Sequence, residues 1–129
     1  MIKILLADDH PLTRAGLAAW LEKERDFKLV GQAVDGESAW DGILSLKPDV
    51  ALLDIEMPGA TGIDIAKRLL ELKGGLSTGI IILTAYSAQQ YVMAAVRAGA
   101  KGFMLKTAPF DQLRKAITPH ASPNWPSSP

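Results

Sequence analysis

The sequence predicts an α/β domain with one doubly wound sheet of five parallel strands and helices on both faces. Three observations predict it. Short strand-like runs begin at Ile2, Lys28, Val50, Ile80 and Lys101. Between them, apolar residues recur at helical spacing, with Gly or Pro at the boundaries. Several of the runs are apolar at consecutive positions, as strands buried on both faces must be. Strict alternation of strand and helix then builds right-handed βαβ units into one parallel sheet.

Each element has a local reason. The first strand is Ile2 to Ala7, and Asp8, Asp9 and His10 form a turn after it. Pro11 suits the first turn of a helix, where its missing N–H costs nothing. That helix runs from about Pro11 to Glu24, with Leu17, Trp20 and Leu21 on one face. The second strand is about Lys28 to Val34, and Asp35-Gly36 turns the chain into a helix with Ala39, Trp40, Ile43 and Leu44 inward. Pro48 ends that connection, and Val50 to Leu53 form a central strand that closes on Asp54. Pro58, Gly59 and Gly62 break the chain before a third helix, about Gly62 to Lys73, with Ile63, Ala66, Leu69 and Leu70 inward. Gly74-Gly75 stops it. The fourth strand is Ile80 to Thr84, and a helix from about Ala88 to Ala98 follows, with Val92, Ala95 and Val96 inward and Gly99 at its end. The fifth strand, Lys101 to Leu105, leads to a helix that starts near Pro109, buries Phe110, Leu113 and Ile117, and fades at Pro119.

Composition narrows the function. A chain of 129 residues, 48% hydrophobic, suits one domain with a full core. Lys plus Arg equals Asp plus Glu at 14 each, so no basic excess marks a nucleic-acid surface. Cysteine is absent, which excludes disulfides and thiol chemistry and is compatible with a cytoplasmic home. The apolar runs are too short to span a bilayer, and the first residues form a strand pattern rather than a signal segment. From Thr118 onward the composition changes: four of the eight prolines fall in the last twelve residues, among Ser, Asn and Thr. The domain is therefore expected over 1–117, with 118–129 a linker or disordered tail.

Chemistry concentrates at the carboxyl ends of the strands, where open α/β sheets bind their ligands. Asp8-Asp9 follow the first strand, Asp54 the third, Thr84 the fourth and Lys106 the fifth. A single acid at a strand end is most simply a helix cap or turn former. Parallel strands, however, bring all these ends to one edge, so carboxylates, a hydroxyl and an ammonium meet in one pocket. An ionised Asp can act as an oxygen nucleophile. Clustered carboxylates call for a hard cation, and magnesium takes oxygen ligands. Lys106 supplies a second positive charge, and Thr84 a hydroxyl donor. His10 reads as a turn residue without metal-ligand company, and His120 lies in the tail.

These residues, taken in order, resemble the receiver domain of bacterial two-component response regulators. The resemblance covers about Met1 to Ile117. It rests on Asp8-Asp9, Asp54 with Met57-Pro58-Gly59 and Gly62, Thr84-Ala85, Ala98-Gly99-Ala100, Phe103 and Lys106. The opening Ala7-Asp8-Asp9-His10-Pro11-Leu12, with Arg14 and Gly16-Leu17, is similar to the NarL/FixJ branch, whose members usually carry a helix-turn-helix DNA-binding domain after the receiver. The resemblance implies a flavodoxin-like sheet of strand order 2-1-3-4-5. It implies Asp54 as phosphoacceptor, with Thr84 and Lys106 contacting the phosphoryl oxygens. It implies Mg2+ held by Asp9, Asp54 and the backbone carbonyl of Glu56, with Asp8 in support. Phe103 matches the switch aromatic that, with Thr84, reports phosphorylation by burying its ring. The partners implied are a sensor histidine kinase, a second receiver copy on phosphorylation, and DNA only through an output domain that this chain lacks. Lys106 is followed by Thr107 where proline is usual, and Thr61 stands where Asp or Asn often precedes Gly62; neither change removes a reacting group.

A competing enzyme class, the haloacid dehalogenase-type aspartyl-phosphate phosphatases, also uses Asp, Thr, Lys and magnesium. Its nucleophile follows the first strand and its extra acidic pair follows the lysine, whereas here the acidic pair comes first. The chain is thus expected to catalyse only its own phosphoryl transfer and dephosphorylation. Glu56 and Tyr86, two residues beyond Asp54 and Thr84, are placed to tune the lifetime of the acyl phosphate.

Overall fold

A computed structural model describes residues 1–72, 76–85 and 89–118, the side chains of Gln89 and Gln90 apart. The element order is β1 (Ile2–Ala7), α1 (Pro11–Lys23), β2 (Phe27–Ala33), α2 (Gly36–Leu46), β3 (Val50–Asp54), α3 (Gly62–Glu71), β4 (Gly79–Thr84), α4 (Gln89–Arg97), β5 (Gly102–Leu105) and α5 (Phe110–Ile117). The strands form one parallel sheet in the order β2-β1-β3-β4-β5. This is the doubly wound, flavodoxin-like arrangement that the sequence predicts.

The sheet divides the core in two. On one face, Leu5, Ala7, Ala51, Leu53 and Ile82 pack against Ala39 and Ile43 of α2, Ile65 and Ala66 of α3, and Ala95 of α4. On the other, Ile4, Leu6, Leu52 and Ile81 pack against Leu17 and Leu21 of α1 and Leu113 and Ile117 of α5. Successive strand residues point to opposite faces, so a run such as Leu52-Leu53 feeds both halves. All five residues of β3 are buried. Each large side chain withdrawn fully from water contributes about 1.5–3 kcal/mol, which makes the central strands the rigid base of the site.

Strand limits agree with the sequence to within a residue. Helix faces agree less well. Leu70 is 63% exposed and Val96 43% exposed, although both were expected inward. Ile65, not expected inward, is fully buried. At 100° per residue a stripe displaced by one position carries its edge residue to solvent. Phe110 is likewise half-exposed, but its ring stacks on Trp20 at 4.7 Å and 10°. Trp20 is half-buried on α1, and its ring also meets Phe27 edge-on. Leu44 is also partly exposed. The Gly74-Gly75 helix stop and nearly all of the 118–129 tail lie outside the described residues; α3 ends at Glu71 and α5 at Ile117.

Turns hold the loops at the site edge. Thr61 Oγ1 accepts from the Asp64 N–H and Asp64 Oδ2 accepts from the Thr61 N–H, both at 3.1 Å, so the two residues cap α3 reciprocally. Gly62 begins α3 against the end of β3: a Cβ there would sit 2.7 Å from the Asp54 carbonyl oxygen. Gly36 approaches the loop still more closely, since a Cβ added there would collide with the Ala60 carbonyl oxygen.

Candidate functional site

The strand ends are tied together before any side chain is considered. The Asp8 N–H donates to the Ala33 carbonyl at 3.0 Å, that of Ile55 to Leu83 at 2.8 Å, and that of Lys106 to Thr84 at 2.8 Å. These bonds extend the sheet ladder by one step at β1, β3 and β5. They fix Asp8, Asp54, Thr84 and Lys106 along the carboxyl edge of one sheet.

The side chains converge from there. Lys106 Nζ lies 2.8 Å from Asp54 Oδ2 and 2.9 Å from Asp8 Oδ2. The other Asp54 oxygen, Oδ1, accepts from the Glu56 N–H at 3.1 Å. Asp8 Oδ1 accepts from the His10 N–H at 2.8 Å, and the Asp8 carbonyl accepts from Arg14 at 2.9 Å. Asp8, Asp54 and Thr84 are buried, Asp9 is half-buried, and the Glu56 side chain points to solvent. Asp8, Asp9, Asp54 and Lys106 therefore meet as the sequence predicts, with Thr84 buried at the adjoining strand end.

His10 joins them, which the sequence reading did not foresee. Its Nδ1 is 3.0 Å from Asp8 Oδ1, 3.2 Å from Asp9 Oδ1 and 3.3 Å from Asp54 Oδ2. It is not only a turn residue: it stands at the N-cap of α1 in an extended conformation, and Pro11 at the first helical position fixes the exit of the chain. That backbone folds the ring back over Asp8. The remaining signal in the sequence was only its adjacency to the acidic pair.

The electrostatics follow from burial and from the imbalance of charge. Burial pushes the Asp54 carboxyl up, Lys106 and the Glu56 N–H offset part of the rise, and the Asp8 charge adds to it; the net shift is upward. Burial also pushes Asp8 up, but Lys106, the His10 N–H and the His10 ring outweigh it and hold the carboxyl below its ordinary value. Lys106 is raised: burial would lower it, and its hydrogen bond to Asp54, its close contact with Asp8 and the charges of both carboxylates more than compensate. His10 is raised, first by its bond to Asp8, against the opposing charge of Lys106 and a small burial penalty.

Three carboxylates against one lysine leave a surplus of negative charge. Two buried oxygens, Asp8 Oδ2 and Asp9 Oδ1, accept no hydrogen bond; their contacts with Lys106 and His10 are close but not aligned for one. Orphaned carboxylate oxygens in a negative pocket are an oxygen-rich donor set that fits a hard divalent cation. Ligand atoms of Asp8, Asp9, His10 and Asp54 all lie within 4.8 Å of one another.

One expectation needs correction. The ring of Phe103 is 4% exposed and packs in the α2–α3–α4 half of the core. The burial expected to follow phosphorylation is present already, because β5 turns residue 103 toward that face. Tyr86 lies outside the described residues. A cleft of about 760 Å3 opens at the opposite edge of the sheet beside Ile2, Val50 and Lys101, away from the carboxylates.

With this geometry in place, comparison decides the family. The signature of the response regulator receiver domain matches residues 4–118. The chain belongs to the response regulator receiver family. Over 117 residues it is 40% identical to the uncharacterised transcriptional regulatory protein YvfU of Bacillus subtilis, covering 91% of this chain and 58% of YvfU. It is 38% identical to the oxygen regulatory protein NreC of Staphylococcus aureus, covering 90% of this chain and 53% of NreC. The signal receiver domain of the response regulator NarL from Mycobacterium tuberculosis superposes with a TM-score of 0.85 at 34% identity, over 90% of this chain and 92% of that one. The receiver thus spans little more than half the length of the curated relatives. It falls with receivers of the NarL and NreC type, as the opening motif implied. No helix among the described residues is long and apolar enough to cross a membrane.

Proposed function

We propose that this receiver accepts a phosphoryl group on Asp54 from the phosphohistidine of a sensor histidine kinase. The observation that carries the reading is the clamp on Asp54. Its carboxylate is held on one oxygen by the Glu56 N–H and on the other by Lys106, beside acidic oxygens that lack hydrogen-bond partners.

Phosphoryl transfer depends on positioning and on neutralising charge on the equatorial oxygens. The Asp54 carboxylate attacks phosphorus; the P–N bond of the phosphohistidine breaks, and its electron pair stays with the departing imidazole. The product is an acyl phosphate. Lys106, already paired with Asp54, is placed to exchange that carboxylate oxygen for a phosphoryl oxygen without leaving the pocket. Thr84, buried at the end of β4, supplies a hydroxyl donor to the same group. Asp9, Asp54 and the Glu56 carbonyl, with Asp8 in support, would hold Mg2+. When bound, that ion supplies positive charge to the phosphoryl oxygens. Dephosphorylation is the same exchange with water attacking phosphorus and the Asp54 carboxylate leaving. No external substrate is turned over.

In this reading the domain is cytoplasmic and ends near residue 117, with 118–129 a linker. It regulates transcription through a helix-turn-helix output domain in a longer protein, and phosphorylation changes the surface it offers to that domain or to a second receiver. A zero formal charge and helices whose apolar faces pack on the sheet leave no DNA surface among the described residues. The test is transfer from an autophosphorylated sensor kinase, followed by phosphate-affinity electrophoresis. Transfer should require Mg2+, stop with EDTA and vanish in Asp54→Asn. Labelling that survives either treatment would refute the reading.

A further inference from the structure

The pocket contains one group that the proposed phosphoryl chemistry does not use. His10 sits at the N-cap of α1, yet its ring makes no capping hydrogen bond. Instead Nδ1 faces Asp8 Oδ1 at 3.0 Å, Asp9 Oδ1 at 3.2 Å and Asp54 Oδ2 at 3.3 Å, and it lies 3.1 Å from Lys106 Nζ. One nitrogen cannot satisfy these neighbours. With a proton, Nδ1 donates to one carboxylate and its N–H opposes an ammonium that has only donors. Without a proton, its lone pair accepts from Lys106 and faces three acceptor oxygens. A divalent cation common to Nδ1 and the three oxygens removes the conflict among these four atoms, because all of them then act as lone-pair donors, and it requires the Lys106 ammonium to draw back from Nδ1 and Asp54 Oδ2.

The spacing agrees. For metal–ligand bonds of about 2.1 Å, adjacent ligand atoms lie about 3.0 Å apart in an octahedron and about 3.4 Å apart in a tetrahedron. The separations from Nδ1 to the three oxygens fall within that interval. A second observation is independent of His10. Asp8 is fully buried, and its Oδ2, although 2.9 Å from Lys106 Nζ, accepts no aligned hydrogen bond within the protein.

We propose that His10, through Nδ1, is a ligand of the divalent ion in this pocket, so that the pocket also takes imidazole-accepting cations such as Co2+ and Zn2+. This inference rests on the reading of the pocket as a cation site. Mg2+ keeps to oxygen ligands and water, whereas Co2+ and Zn2+ gain from an imidazole nitrogen. Any carboxylate site prefers Co2+ to Mg2+, so the preference alone decides nothing. What distinguishes the proposal is that only the Co2+ affinity depends on His10.

The experiment titrates the full chain with Co2+ and separately with Mg2+ by calorimetry, and records the proton NMR spectrum of the Co2+ form. His10→Gln and His10→Ala should each weaken Co2+ binding by about tenfold or more while changing Mg2+ binding by less than about twofold. Both should remove a hyperfine-shifted imidazole N–H resonance. His120→Gln should change none of these. The His10 side chain is 55% exposed, so these variants are not expected to unfold the domain. Unchanged Co2+ affinity and an unchanged resonance in the His10 variants would overturn the proposal. In that case Mg2+ binding that is lost in Asp9→Asn would leave the cation reading standing. Failure of the wild-type chain to bind either ion would overturn both.

Discussion

Asp54 and Lys106 pull the stability of the domain in opposite directions. Asp54 is buried, and its carboxyl is shifted upward by burial and by the Asp8 charge despite Lys106. An acid raised in the folded state opposes folding once pH exceeds its folded pKa, and the opposition disappears below the unfolded value. Asp54→Asn removes that charge and leaves Lys106 paired with Asp8. The variant should therefore melt about 3–5 °C higher than wild type at neutral pH without metal, the effect of about 1 kcal/mol in a domain of this size. A lower melting temperature would show that the Lys106 pair outweighs desolvation. Lys106→Ala should do the reverse. It leaves two buried carboxylates without their cation, at a cost of about 3–5 kcal/mol. Asp8 is held low in the folded state, so its contribution is present above the unfolded pKa and lost as pH falls through the folded one. The deficit of Lys106→Ala should thus be large at pH 7 and shrink in acid; denaturant titrations across pH would detect a deficit that does not shrink. The sequence made this pairing legible because strand-end residues of a parallel sheet must share an edge. It did not reveal His10, since the direction of its ring depends on the N-cap backbone and not on residue type.

At the scale of elements, the acceptor loop is built by contacts between its own turns and α2. The Gly36 N–H donates to the Pro58 carbonyl at 3.0 Å, and a Cβ on Gly36 would meet the Ala60 backbone nitrogen at 2.6 Å. Backbone cannot yield as a flexible side chain can. Gly36→Ala should cost about 1–3 kcal/mol by overpacking and slow phosphorylation by displacing the loop after Asp54. Gly16→Ala is the control: a Cβ at Gly16 meets nothing within 4 Å, and the substitution sits within a helix that Ala favours. Equal stabilities for the two variants in urea would contradict this packing. Strand positions were readable to within a residue because apolar runs and turn residues bound them on both sides. The inner faces of α3, α4 and α5 were less readable. Leu70, Val96 and Phe110 belong to stripes whose edge is set by tertiary packing, and a slight rotation of a helix leaves its pattern unchanged.

At the scale of the molecule, the two core halves among the described residues lie on opposite faces of the sheet, so a change at the carboxyl edge has a route to the helices through β4 and β5. The Lys106–Thr84 backbone bond couples those two strand ends directly. A beryllofluoride complex should shift the amide resonances of Thr84, Lys106 and β5, while Phe103 keeps its ring in the core. An unperturbed Thr84 would remove the proposed route. The family was legible because the strand-end residues and their order in the chain stand together, and because the sheet order follows from that alternation. The strand-end residues carry the receiver chemistry alone, and the chain spans little more than half the length of its curated relatives. The central claim is that Asp54 becomes an acyl phosphate. The most direct measurement incubates the chain with Mg2+ and a small phosphodonor, reduces it with borohydride, and maps the product by peptide mass spectrometry. The account predicts homoserine at position 54 alone, and none when EDTA is present. Homoserine at position 8 or 9, or wild-type protein that stays unmodified while Mg2+ is bound, would contradict it.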